Sequence, residues 1–147
     1  MIFSPVTPAD IPLMYAIEQQ ANTYPWPQSA FLSCQGGSYF SYTLKDADGL
    51  LAGFYIGQCI AGQAELFNIC VAPAQQGKGY GRQLLQHFTE QVITRQATEA
   101  WLEVRVSNQP AIALYEKLGF IQTGIRPNYY QGPQGSEDAV LMSLPIL

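Results

Sequence analysis

Apolar residues recur along this chain with two periods, one typical of strands and one typical of helices. Runs of β-prone, largely apolar residues, separated by Gly, Pro, Asp or Asn, predict seven strands. They cover residues 2–6, 39–44, 50–59, 63–71, 100–106, 120–130 and 139–144. A Gly- and Pro-rich loop at residues 131–136 is expected to join the last two.

Four helices are predicted between these strands. The first begins at Thr7 and Pro8, as cap and first helical residue, and ends before the break at residues 24–27. Its buried face is predicted to comprise Ile11, Met14, Tyr15 and Ile17. The other helices cover residues 28–33, about 79–96, and 108–119. The order βααβββαβαββ predicts an α/β fold, in which a mixed sheet carries helices on both faces.

Length and composition fit one domain spanning residues 1–147. With 147 residues and 48% hydrophobic content, the chain can bury one good core. Charged residues make up only 12%, about half the usual share. The net charge of −4 argues against direct nucleic-acid binding and is compatible with a basic substrate.

The cysteines and the N-terminus indicate the compartment. Cys34, Cys59 and Cys70 are odd in number and lack the spacing of metal ligands, so we expect reduced thiols and no metal. Cys70 is predicted to be a small apolar strand residue rather than a reactive thiol. The N-terminus lacks the pattern of a signal peptide, and no apolar run approaches the ~20 residues that span a bilayer. We expect a soluble, cytoplasmic protein without membrane association.

The most specific motif follows the strand at residues 63–71, where three glycines fall within five residues just before the third helix. The segment reads Gln76-Gly77-Lys78-Gly79-Tyr80-Gly81-Arg82. A strand, a glycine loop and a helix start expose main-chain N–H groups at the positive end of the helix dipole. Lys78 and Arg82 add positive charge. The segment is therefore predicted to bind a diphosphate.

Other phosphate-binding motifs fit this segment less well. The phosphate loop of nucleotide hydrolases needs a second Gly-Lys-Ser/Thr ending, which is absent. A dinucleotide fingerprint would put the glycines after the first strand, with an acidic residue ~20 positions later. Glu99 and Glu103 lie near that distance, but the chain has no room for a second mononucleotide-binding half. Taken alone, the segment could also be only a tight turn.

Two motifs together resemble the GNAT acetyltransferases. Residues 76–81 resemble their acyl-coenzyme A loop, Gln/Arg-x-x-Gly-x-Gly/Ala, and residues 108–120 resemble their second segment, Asn-x-x-Ala-x-x-Leu-Tyr-x-x-x-Gly-Phe. The resemblance covers nearly the whole chain. It implies a GNAT fold, with a mostly antiparallel twisted sheet whose central parallel strands splay apart, and acetyl-CoA as cosubstrate.

Within the GNAT family, the chain is most similar to the bacterial RimI-type branch. The branch-specific segments are residues 24–26, 68–69, 101–105, 126–130 and 137–139. This resemblance implies transfer of acetyl to the N-terminal alanine of a small-subunit ribosomal protein. The implied partner is a basic N-terminal peptide. Tyr129, Tyr130, Glu137 and Asp138 would then form an acidic, aromatic rim for it, although aromatic strand residues also simply pack.

Acyl transfer to an amine needs a proton acceptor, and Glu103 is the candidate. It lies on a mostly apolar strand, where desolvation would raise its pKa. On a solvated strand face shared with Arg105, an ion pair would instead lower the pKa. The residues alone leave both interpretations open; the family resemblance implies a proton acceptor at this position.

The remaining roles are implied by the resemblance. Tyr115 would protonate the departing thiolate, although a Tyr on an apolar helix stripe could also be core. The backbones of Ile69, Cys70 and Val71 would hold the pantetheine and the thioester. Asn108 would bind the coenzyme, although a helix cap would look the same in sequence.

The glycine loop departs from the family pattern at one position. Many relatives carry Arg where this chain has Gly77, so Lys78 or Arg82 is expected to compensate at the phosphates.

Two other functions are compatible with the sequence. The acceptor could instead be a lysine or a small-molecule amine. The chain could also be a non-catalytic acyl-CoA-binding module, although the presence of both Glu103 and Tyr115 argues against this.

Overall fold

The computed structural model describes residues 1–132 and 134–147, and within these ranges seven strands and four α-helices follow the predicted order. The strands are β1 (Ile2–Pro5), β2 (Tyr39–Lys45), β3 (Leu51–Ile60), β4 (Gln63–Val71), β5 (Glu99–Arg105), β6 (Ile121–Gly132) and β7 (Gly135–Pro145). The helices are α1 (Ile11–Ala21), α2 (Gln28–Ser33), α3 (Tyr80–Thr94) and α4 (Gln109–Lys117).

Three helices, α1, α3 and α4, begin later than predicted, and local causes explain the first two. Before α1, Pro8–Asp10 form a 3-10 turn in which the Asp10 carboxylate accepts a hydrogen bond from the Thr7 backbone N–H at 2.8 Å. The other oxygen of Asp10 pairs with Lys45 Nζ at 2.6 Å. Before α3, Gly79 has φ of 84°, a left-handed conformation that glycine adopts without steric cost, so the helix starts at Tyr80.

The sheet is mixed and mostly antiparallel, as predicted. Its strand order is β1-β2-β3-β4-β5-β7-β6. Within the described residues, β4 and β5 form the one parallel pair, and the other five neighbouring pairs are antiparallel. A parallel pair at the centre of an antiparallel sheet requires a crossover connection, and α3 provides it.

The central parallel strands separate at one end, which confirms the predicted splay. Their pairing joins residues 63–66 to residues 99–102 and stops there. On the other side of β4, Ile56 pairs with Asn68 whereas Gly57 pairs with Leu66, so Phe67 is an extra residue. Such a bulge bends and twists its strand. Residues 67–71 of β4 and 103–105 of β5 consequently enclose an open wedge.

Helices cover both faces of the sheet. On one face lie α3 and α4, whose buried residues Leu84, Leu85, Phe88, Val92, Ile112 and Tyr115 belong to one core cluster. On the other face lie α1 and α2, which contribute Ile11, Met14 and Phe31. Strand β3 faces both clusters: Tyr55 packs in the first, and Phe54 and Ile56 pack in the second. Of the predicted α1 face, Tyr15 and Ile17 are only half-buried.

The C-terminal hairpin is longer than predicted. The two strands pair as far as Gly132 and Gly135, so most of the predicted loop at residues 131–136 is strand. Pro133, part of that prediction, lies outside the described residues. Within the described ranges, no helix is long and apolar enough to cross a bilayer. The three cysteines form no disulfide there.

Candidate active site

The wedge between β4 and β5 opens into two adjoining cavities. The first, here called the splay cavity, has a volume of about 490 Å³ and is lined by α1, the α1–α2 connector (residues 22–27), β4, β5 and Tyr130 of β6. The second, here called the loop groove, has a volume of about 330 Å³ and lies between β4, the glycine loop, α3 and α4. Ile69 and Tyr115 line both cavities. These two side chains therefore form the boundary that the cavities share.

The glycine loop takes a conformation that only glycine adopts readily. Gly77 has φ of 78° and Gly79 has φ of 84°, and a Cβ at either position would meet nothing within 4 Å. These glycines are thus required for backbone direction rather than for space. The main chain ahead of α3 lines the groove and remains open to a ligand, so the site fits the phosphate-bearing end of a coenzyme.

The predicted coenzyme-binding residues divide into three groups. Those that line the loop groove are Ile69, Val71, Gln76, Gly77, Gly79, Tyr80 and Gly81. The side chains of Lys78 and Arg82 are exposed and do not line it; Lys78 Nζ donates to Gln75 Oε1 at 3.2 Å. Cys70 and Asn108 lie outside the loop groove.

Cys70 faces away from the groove. Its side chain is buried in the α1–α2 core cluster, so only its backbone could contribute to a site on the other face. Burial, followed by the charge and hydrogen bond of Glu18, raises the pKa of the Cys70 thiol to about 12. A thiol in this environment is a poor nucleophile, as expected for a structural strand residue.

Asn108 serves as the cap of α4. Its Oδ1 accepts a hydrogen bond from the Ala111 N–H at 3.3 Å. The residue lines the splay cavity rather than the loop groove. The side chain thus has a structural role already, and contact with a coenzyme would be an additional one.

Glu103 lies in the splay cavity with its side chain only 10% exposed. Its partner is Arg126 of β6, at 3.2 Å, and not Arg105. Arg105 pairs instead with Glu137 at 3.0 Å. An acidic side chain therefore lines the splay cavity but not the loop groove.

Tyr115 packs on Phe120, with ring centroids 5.9 Å apart, and is only 6% exposed. Burial, followed by the proximity of Tyr130, raises the pKa of the Tyr115 phenol above its ordinary value. The phenol therefore keeps its proton at neutral pH and is available as a donor.

Two of the four residues predicted to form an acidic, aromatic rim line the splay cavity, and two do not. Tyr130 and Glu137 line the splay cavity. Tyr129 lies instead over the Arg126 guanidinium, at 4.9 Å, and Asp138 accepts a hydrogen bond from the Asn128 N–H at 2.9 Å.

Arg105 organises the rim. Its guanidinium lies between the rings of Tyr24 and Tyr130, 4.5 Å from each centroid. Such cation–π contacts fix a planar cation in one orientation. The pair with Glu137 then connects the α1–α2 connector, β5 and the C-terminal hairpin.

Sequence reasoning missed two carboxylates. Glu18 lines the splay cavity and is only 1% exposed. Its signal was available, because residues 11, 14 and 18 lie on one face of a helix. Glu65 is adjacent to Trp101 in the parallel pairing. Burial, followed by the Glu103 charge, raises the pKa of Glu65 to about 7.

Comparison with known proteins identifies this arrangement. The model of the Acetyltransferase (GNAT) family matches residues 11–120. The chain belongs to the GNAT family. It is thus an acetyl-CoA-dependent N-acetyltransferase, and the family resemblance drawn from the two motifs is confirmed.

Among relatives, the [ribosomal protein bS18]-alanine N-acetyltransferase of Salmonella typhimurium is 47% identical, over 93% of this chain and 92% of the relative. That of Haemophilus influenzae is 40% identical, over 97% of each chain. Among solved structures, the crystal structure of the ribosomal-protein-S18-alanine N-acetyltransferase from Escherichia coli has a TM-score of 0.94 and 44% identity. The alignment covers 99% of this chain and 93% of that one. The GNAT fold and the similarity to the RimI-type branch are therefore established.

Proposed function

We propose that this GNAT enzyme transfers acetyl from acetyl-CoA to the N-terminal alanine of ribosomal protein bS18, in the cytoplasm, and that residues 1–147 act as a single catalytic domain. The names of the relatives support this acceptor. The observation that carries the proposal is that Ile69 and Tyr115 line both cavities. A coenzyme in one cavity and an amine in the other can therefore meet without a carrier.

In this proposal, the loop groove holds acetyl-CoA. The main chain of the glycine loop binds the diphosphate, and Lys78 and Arg82 attract it from the exposed side. The backbone of residues 69–71 binds the pantetheine and the thioester, whose carbonyl would be polarised by main-chain N–H groups. Gln76, Tyr80, Gly81 and Asn108 complete the proposed contacts.

The splay cavity receives the basic N-terminal peptide, with its α-amino group at Glu103. An α-amino group has an ordinary pKa of roughly 7.7–8.0, so its deprotonation at neutral pH needs only a modest base. Glu103 accepts that proton, directly or through water. The amine lone pair then attacks the thioester carbon, and no acyl-cysteine forms.

Collapse of the tetrahedral intermediate breaks the carbon–sulfur bond. The departing thiolate takes a proton from the Tyr115 phenol, which is protonated at neutral pH. The amine nitrogen loses two protons on becoming an amide. One passes through Glu103 to solvent, and the second, released from the nitrogen after its attack, restores the Tyr115 phenol. The products are one amide, one coenzyme A thiol and one free proton.

The acceptor is tested with purified enzyme, acetyl-CoA and a synthetic basic peptide that begins with alanine. Mass spectrometry is expected to find one acetyl group, on the N-terminal nitrogen. The matched control is the same peptide with a blocked N-terminus and its lysines intact, which should stay unmodified. Transfer to the blocked peptide, or only to small amines, would reject the proposed acceptor.

A further inference from the structure

Glu18 is a buried carboxylate that the proposed chemistry does not use. The residue is 1% exposed, near the C-terminal end of α1. Among the described residues, none forms an ion pair with it. Burying a carboxylate is strongly unfavourable unless hydrogen bonds replace its water, so its neighbours must supply them.

The neighbours do so from two separate parts of the chain. Glu18 Oε1 accepts from Asn22 Nδ2 at 2.8 Å and from Asn68 Nδ2 at 3.3 Å. Its other oxygen, Oε2, accepts from the Trp26 backbone N–H at 2.9 Å. Asn22 and Trp26 belong to the α1–α2 connector, whereas Asn68 belongs to β4 and follows the bulge residue. One carboxylate therefore ties the connector to the strand that splays.

The connector forms one wall of the splay cavity. Asn22, Tyr24 and Trp26 line that cavity together with Glu18 itself. Glu18 does not line the loop groove. The connector has a second attachment through the stacking of Tyr24 on Arg105, at 4.5 Å. Without the Glu18 carboxylate, the connector would keep this cation–π contact and the backbone hydrogen bond from the Asn22 N–H to the Glu18 carbonyl oxygen. It would lose the side-chain contacts that tie it to β4.

We propose that Glu18 is a positioning residue, which fixes the α1–α2 connector as the acceptor-side wall and thereby sets affinity for the peptide. It acts through Asn22, Trp26 and Asn68 and touches no reacting atom. The inference rests on the proposed function, because it takes the splay cavity to be the acceptor site. It adds a determinant of acceptor binding that is separate from Glu103 and from the coenzyme site.

The test compares Glu18→Leu with Glu18→Gln. Leucine fills the volume but accepts no hydrogen bond, so the connector should loosen. We expect the peptide KM to rise roughly tenfold, because the lost hydrogen bonds hold the wall in its peptide-binding position and fewer molecules then have the wall in place. The Kd for acetyl-CoA should stay within about twofold of wild type. Glutamine keeps one acceptor oxygen and should recover part of the peptide affinity.

Asp10 provides a matched control. It is also a buried carboxylate, 4% exposed and next to α1, but it pairs with Lys45 and lines neither cavity. Asp10→Leu should lower thermal stability and leave the peptide KM unchanged. An equal rise in KM for Asp10→Leu, or an unchanged KM for Glu18→Leu, would overturn the proposal.

A readout without turnover separates this proposal from the proposed function. In wild type the Trp26 amide should be protected from hydrogen exchange. In Glu18→Leu the exchange of this amide should accelerate at least tenfold, whereas the amides of α3 should stay protected. If wild type fails to acetylate the alanine peptide, the proposed acceptor is wrong, whereas unchanged Trp26 exchange would reject the positioning role. If Glu18→Leu does not fold, Asn22→Ala replaces it, because Asn22 is exposed. This variant should raise both the peptide KM and the exchange rate of the Trp26 amide, by smaller factors.

Discussion

Glu103 and Tyr115, the proposed base and acid, lie in different environments. Glu103 is an acidic side chain with a guanidinium 3.2 Å away and a cavity in front of it. Tyr115 is a nearly buried phenol whose raised pKa preserves its proton. Two groups held in different environments are the usual means by which a site supplies both a base and an acid at one pH.

For the base, we predict that Glu103→Gln lowers kcat by roughly 10²-fold or more, because an amide cannot accept the amine proton. The Kd for acetyl-CoA should not change, since Glu103 does not line the loop groove. Steady-state kinetics and calorimetry measure the two quantities. Glu99→Gln, on the same strand but outside both cavities, is the control and should keep full activity.

For the acid, Tyr115→Phe keeps the ring that packs on Phe120 and removes only the hydroxyl. We predict a fall in kcat of roughly 10²-fold, because the thiolate then leaves without a proton. Tyr24→Phe retains the ring that stacks on Arg105 and should change kcat less than threefold. Equal rates for Tyr115→Phe and wild type would remove the phenol from the mechanism.

Glu65 carries a prediction about stability. Its pKa of about 7 in the folded protein lies above the ordinary 4.5, so the folded state holds this proton to higher pH than the unfolded chain does. The free energy of unfolding should therefore fall as pH rises through that window. After allowance for solvent at a half-buried carboxyl, the fall amounts to roughly 1–2 kcal/mol.

Glu65→Gln should remove that part of the pH dependence. Urea unfolding at about pH 5 and about pH 8 measures it in both proteins, with Glu99→Gln as the control that keeps the wild-type slope. The same pH dependence in Glu65→Gln and wild type would show that another group is responsible.

At the scale of elements, the site depends on the splay between β4 and β5. Gly53 of β3, the strand on the other side of β4, is essential to the position of β4. A Cβ at Gly53 of β3 would lie 2.7 Å from the Cys70 carbonyl oxygen and 2.9 Å from Leu84 Cδ1. The first of these atoms is backbone, so β4 itself would have to move. Gly53 is therefore required for the close approach of β3 to the end of β4 that borders the loop groove.

Gly53→Ala is accordingly predicted to destabilise the protein by about 1–3 kcal/mol, a typical value for overpacking. It should also weaken acetyl-CoA binding, because Val71 is the partner of Gly53 and lines the loop groove. Gly124→Ala in β6 is the control, since a Cβ there meets nothing within 4 Å. Thermal unfolding and calorimetry that find both variants like wild type would contradict the prediction.

The elements themselves could be predicted well, because each has a local cause. Residues 63–71 and 28–33 form a strand and a helix with the predicted bounds, since Gly62 and Pro27 end the neighbouring segments. The hairpin ending at Gly132 and Gly135 could not be predicted. Gly and Pro usually indicate a loop, and strand pairing across the hairpin extended the ladder beyond that local signal.

At the scale of the molecule, the site combines residues that lie far apart in the chain, and this limits what sequence reveals. Glu103 and Tyr115 could be singled out because each lies in a family motif. The Arg126 partner of Glu103 depends on which strands pair, and the hydrogen bond from the Trp26 N–H to Glu18 depends on where the connector folds back. Alternation along β5 places Arg105 on the same strand face as Glu103, which suggested an ion pair between them. The Arg105 guanidinium instead pairs with Glu137 and stacks on two tyrosine rings.

In the proposed mechanism, coenzyme and amine meet at Ile69 and Tyr115 from two adjoining cavities. A crystal structure with coenzyme A and the alanine-starting peptide would show whether they do. We expect the diphosphate on the main chain of residues 76–81, the sulfur beside Tyr115 and the peptide amine beside Glu103. A coenzyme bound outside the loop groove, or a peptide amine remote from Glu103, would contradict it.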